Sequence, residues 1–92
     1  MELDLQEIRL RLDAIDAELS ALLEKRMETV TLVAAYKKEQ GMPILDAARE
    51  EKILEKVRER VAPEFAPYAA EVYRKILEMS RAYQAARLEE KP

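Results

Sequence analysis

The stretch DLQEIRLRLDAIDAELSALLEKRMETVTLVAAYKKEQ, residues 4–40, decides the fold. It holds neither glycine nor proline, and Leu5, Ile8, Leu12, Ile15, Leu19 and Leu22 recur at alternating steps of three and four. That rhythm marks the seam of a packed helix. Roughly 37 residues of helix extend about 55 Å, whereas a compact domain of this length has a radius of gyration of only about 12–13 Å. Shorter helices of the same chain cannot cover both ends of such a rod. The seam therefore predicts packing against a second copy, most simply about a two-fold axis.

Outward from this rod, Gly41 supplies a helix stop, and Pro43 prevents the helix from resuming. Ile44 and Leu45 are expected to tuck inward, and Asp46 to cap a second helix. That helix places Glu50, Ile53, Leu54, Val57 and Val61 on one face and ends before Pro63. A connection through Phe65 and Pro67 leads to a third helix over roughly 67–88, with Ala69, Val72, Tyr73, Ile76, Ser80 and Gln84 on its inner stripe and Leu77 and Tyr83 flanking. Residues Glu89 to Pro92 read as a frayed tail. The expected fold is all-α: one long, one short and one medium helix per chain, in an intertwined homodimer. The 92 residues make a single domain, 1–92.

Composition removes several classes of function. Sixteen basic against nineteen acidic residues give a net charge of −3, with both signs interleaved, which argues against nucleic-acid or anionic-membrane partners. No cysteine and no histidine are present, so disulfides, thiolate nucleophiles, histidine-ligated metals and imidazole acid–base chemistry are excluded. The N-terminal residues lack the pattern of a signal peptide, and no apolar run approaches membrane-spanning length. A cytoplasmic protein is expected.

Five polar residues fall where the hydrophobic pattern asks for apolar ones: Arg26, Lys37, Glu50, Ser80 and Gln84. Each has a plain structural reading. Arg26 can set register on a seam, Lys37 can favour the helix C-terminal dipole, and Glu50 the N-terminal one. Ser80 and Gln84, one turn apart, can hydrogen-bond each other or the backbone. Burying a charge or an amide without partners costs several kcal/mol, so five on three helices point instead to a polar pocket inside the bundle. Two cations suit an anionic ligand, with a carboxylate, an amide and a hydroxyl for its neutral oxygens.

These residues carry a resemblance to the small all-helical chorismate mutases. Its elements are Ile8-Arg9, Ile15-Asp16, Leu22-Leu23-Glu24-Lys25-Arg26, Val33 to Lys37, Pro43-Ile44-Leu45-Asp46-Ala47-Ala48-Arg49-Glu50, and Ser80 to Gln84. They span about residues 5–88 in this order. Ala47-Ala48, where many relatives have a proline-containing turn, and Tyr36 before Lys37 depart from the pattern.

The resemblance implies rearrangement of chorismate to prephenate, toward phenylalanine and tyrosine, with no cofactor, no metal and no covalent intermediate. It also implies an intertwined homodimer with two sites. Carried over by position, Arg26 and Arg9 hold the two substrate carboxylates, with Ser80 assisting, and Lys37 and Gln84 donate to the ether oxygen. Glu50 accepts from the ring hydroxyl, Asp46 helps through the backbone, and Arg49 supports Glu50 and the loop. Arg9 and Arg26 stand seventeen residues apart, about 25 Å along one helix. If both serve one pocket, Arg9 arrives from the partner; its alternative is an exposed pair with Asp13. Two other functions are open: an isochorismate–pyruvate lyase on the same fold, and a non-enzymatic helical dimerisation module.

Overall fold

The structure, a computed structural model, describes residues 3–89. Three α-helices follow one another: α1 (Leu5–Gln40), α2 (Ala47–Arg60) and α3 (Ala66–Leu88). No strand occurs among the described residues. Of the tail expected to fray, residues 90–92 lie outside the described part of the chain.

Local chemistry sets each boundary. The Asp4 carboxylate accepts from the Gln6 backbone N–H at 2.9 Å and starts α1. Gly41 ends it with φ of 65°, a left-handed conformation that a Cβ would disfavour, and the Met42 N–H turns back to the Lys37 carbonyl at 2.8 Å. Asp46 caps α2 as expected, its Oδ1 accepting from the Arg49 N–H at 3.0 Å. Pro67 lies in the first turn of α3, where its missing N–H costs nothing.

α2 folds back on α3, and α3 packs against the C-terminal half of α1. Arg26 meets Ser80 and Thr31 meets Tyr83, so α1 and α3 run parallel, with α2 antiparallel to both. Val30, Ala34, Leu54, Val57, Ala70 and Leu77 are the buried apolar side chains. This small core sits at one end of a body measuring 58 × 29 × 14 Å, with a radius of gyration of 16.9 Å against the roughly 12–13 Å of a compact chain. The N-terminal half of α1 projects from it. Along that half Leu5, Leu12, Ile15, Leu19 and Leu22 are all more than half exposed in the single chain. The seam read from the sequence therefore packs against nothing in its own chain.

Two expectations about packing need correction. The buried arc of α3 runs through Ala70, Leu77, Ser80 and Gln84, not through Ala69, Val72 and Tyr73; Val72 is 60% exposed. The cause is that α3 packs on two helices, α1 and α2, and Val72 falls between them and solvent in a groove with Leu23, Met27, Ile76 and Met79. Ile44 is half-buried, but Leu45 points outward at 55% exposure, because a short loop has only one side against the bundle.

Candidate active site

The helices bring the sequence-predicted polar residues together. An open cleft, about 560 Å³ with the solvent space at its mouth included, is lined by Arg26, Lys37, Asp46, Arg49, Glu50, Ser80 and Gln84, with Val30, Val33, Ile44, Ile53 and Leu77 as its apolar wall. α1 contributes Arg26 and Lys37, the loop and first turn of α2 contribute Asp46, Arg49 and Glu50, and the last turns of α3 contribute Ser80 and Gln84.

Hydrogen bonds within the chain orient these groups. Arg26 Nη1 donates to Ser80 Oγ at 2.7 Å, and that hydroxyl donates onward to the Ile76 carbonyl at 2.8 Å. The guanidinium is thus held by one edge, leaving its remaining N–H groups for a ligand. Lys37 Nζ donates to the Ile44 carbonyl at 2.6 Å, which ties the end of α1 to the loop and leaves two ammonium protons. Gln84 is 6% exposed; its Nε2 donates to the Ser80 carbonyl at 3.3 Å, while its Oε1 is buried without a partner. An orphaned buried acceptor costs about 1–3 kcal/mol, so Gln84 gains from a ligand or a further residue beside it. The local bonding expected of Ser80 and Gln84 is therefore present, but it leaves Gln84 unsatisfied.

Arg81 is the residue that sequence reasoning missed. Its Nη1 donates to Glu50 Oε1 across the α2–α3 interface, with both side chains partly buried. The support expected of Arg49 comes from Arg81 instead. A signal was available: consecutive helical residues do not face each other, so Arg49 is poorly placed to hold its neighbour Glu50. The bond engages one carboxylate oxygen and leaves the other to accept from a ligand. Arg81→Met should leave Glu50 partly buried and unpaired, destabilising the fold by about 1–3 kcal/mol. In a double-mutant cycle read by denaturant midpoint, Glu50→Gln should cost less in the Arg81→Met background than in the parent. Additive losses would contradict the pairing.

The electrostatics of the cleft are lopsided. Four cations, Arg26, Lys37, Arg49 and Arg81, line it with two acids, Asp46 and Glu50. Asp46 caps a helix and Glu50 is paired with Arg81, so among the described residues Arg26 and Lys37 have no carboxylate partner. The cleft carries two surplus positive charges, the complement of a dianion. No group of acidic residues that could hold a metal ion occurs among the described residues. Arg9 does not join the site within its own chain: it is exposed on the projecting half of α1 and makes no ion pair with Asp13. No helix among the described residues is long and apolar enough to cross a membrane.

Searches of curated proteins and of solved structures give no significant match to the chain. The family model of chorismate mutase type II does match, over residues 8–85, a span that takes in the seam of α1 from Ile8 onward and every residue lining the cleft. The chain belongs to the chorismate mutase type II family.

Proposed function

We propose that this chain is a chorismate mutase that converts chorismate to prephenate, a step toward phenylalanine and tyrosine, in a single-domain homodimer needing no cofactor. The observation that carries the proposal is the convergence of Arg26, Lys37, Glu50, Ser80 and Gln84 on one cleft with two uncompensated positive charges. Chorismate is a dianion bearing an ether oxygen and a ring hydroxyl, and the cleft offers a group for each.

The reaction is a unimolecular pericyclic rearrangement, so it requires no proton transfer and loses nothing from the absence of histidine and cysteine. Its demands are conformational and electrostatic. The enolpyruvyl side chain must fold over the ring, a conformer enforced by clamping the two carboxylates between cations. Arg26, already oriented by Ser80, takes one carboxylate, and the partner's Arg9 takes the other. In the transition state the C–O bond breaks ahead of C–C bond formation, and negative charge grows on the ether oxygen. Lys37 and Gln84 donate there, binding the transition state more strongly than the ground state. Gln84 can present its amide N–H by turning about its last torsion, a soft one. Glu50, steadied by Arg81, accepts from the ring hydroxyl. Asp46 offers backbone at the start of α2, and Arg49 lines the rim.

The direct test follows loss of chorismate absorbance and identifies the product. Prephenate is the expected product. Pyruvate and salicylate from isochorismate, with no prephenate from chorismate, would replace the mutase by the lyase. No turnover and no thermal shift with chorismate would leave a dimerisation module.

A further inference from the structure

Beside the cleft lies a second groove, lined by Arg26, Arg49, Ile53, Lys56, Arg60 and Tyr73. It shares Arg26, Arg49 and Ile53 with the active-site cleft and adds two cations, Lys56 and Arg60. Neither makes an ion pair among the described residues, and both are exposed. They follow Arg49 at seven and eleven residues along α2, and so continue its face as a basic ridge running away from the cleft.

The projecting half of α1 carries the complementary feature. At about 100° per residue, Arg9, Asp13, Asp16 and Ser20 fall within a sector of about 60°, roughly a right angle round from the exposed Leu/Ile seam. Asp13 and Asp16 also make no ion pair within the chain among the described residues. One stripe therefore presents a cation at its tip and two acids directly behind it.

We infer that the basic ridge Lys56–Arg60 of α2 is the docking surface for Asp13 and Asp16 of a second copy of the chain, a charge latch that sets the register in which Arg9 reaches the partner's cleft. The inference rests on the reading that Arg9 acts in trans. If the partner's Arg9 stands beside Arg26, a two-fold axis makes the partner α1 antiparallel to α1. Since α2 is also antiparallel to α1, the partner α1 runs parallel to α2. From Arg9 to Asp16 is seven residues, about 10.5 Å, and from Arg49 to Lys56 is the same seven residues and the same rise. With Arg9 at the level of the shared Arg26–Arg49 edge, Asp16 arrives at Lys56, Asp13 falls between Arg49 and Lys56, and Arg60 lies one turn beyond. The apolar seam provides most of the buried area but is a near-repeating ladder of Leu and Ile, which slips by a heptad at little cost. Charges beside such a seam select one register, because a slipped helix sets acids against no partner and Arg9 against the ridge.

The test uses charge reversal and reads mass rather than activity. One variant carries Asp13→Lys and Asp16→Lys; the other carries Lys56→Glu and Arg60→Glu. In homodimers each variant sets like charges together, so dimerisation should weaken about tenfold or more at low salt, less at high salt. Refolded as an equimolar mixture, the two variants restore opposite charges at both symmetry-related contacts, and native mass spectrometry should find heterodimers well above the random half. Where a variant alone fails to fold, the mixture still reports, since rescue requires the partner chain. Random pairing, or homodimers as tight as the parent, overturns the latch. Chorismate turnover by the parent is measured separately. A parent without turnover but with selective heterodimers would remove the mutase reading and leave the docking surface, whereas an active parent with random pairing would do the reverse.

Discussion

Lys37→Ala loses about 10²–10³ in kcat, the usual cost of removing one preoriented donor from an oxygen on which charge develops. KM should change far less, because the contact strengthens as the C–O bond breaks and contributes little to ground-state binding. The structure supplies the control. Lys37 Nζ also holds the Ile44 carbonyl, so part of any loss could come from a displaced loop rather than a missing donor. That hydrogen bond is worth about 1–3 kcal/mol and its loss is visible in the melting temperature. A variant that melts close to the parent, remains dimeric and retains near-parental kcat would remove Lys37 from the reacting oxygen.

Two inactive proteins should make an active one. Arg9→Ala and Lys37→Ala are each expected to be nearly inactive as homodimers. Denatured together and refolded, they pair at random, so about half the dimers are mixed, each with two symmetry-related pockets. When Arg9 crosses to the partner, one pocket of a mixed dimer receives Lys37 from the first chain and Arg9 from the second. That pocket is whole, and the other carries both lesions. Activity should return to about a quarter of the parent's, half of the dimers times half of the pockets. If Arg9 served its own chain, every pocket would keep one lesion. Mixed dimers, demonstrated by mass, that recover nothing would end the trans assignment. Within the single chain Arg9 is exposed and about 25 Å along α1 from Arg26, which is why the assignment needs a partner at all.

The five polar intruders were legible because helical periodicity is a local property. Arg26, Lys37, Glu50, Ser80 and Gln84 each break the apolar rhythm of their own helix, and a break of that kind needs no knowledge of neighbouring helices. All five line one cleft. Val72 was misread for the complementary reason. It satisfies the apolar pattern of α3, but which side of an apolar arc turns inward depends on where two other helices lie, and it stands 60% exposed beside Met27 and Met79.

What the sequence by itself determined is the set of helices, their ends at Gly41 and Asp46, the excess length of α1 and the residues available for a polar site. Capping, periodicity and rise per residue act within a few positions and are written in the chain. What only the tertiary structure decided is which of those residues meet. Arg81 reaches Glu50 across 31 positions, and the basic face of α2 comes to lie against the rim of the cleft. Both depend on the axial offset and rotation with which α2 packs on α3. That choice comes from the fit of whole helix surfaces, which buries Ala70 and Leu77 of α3 and Leu54 and Val57 of α2, and no short-range pattern encodes it.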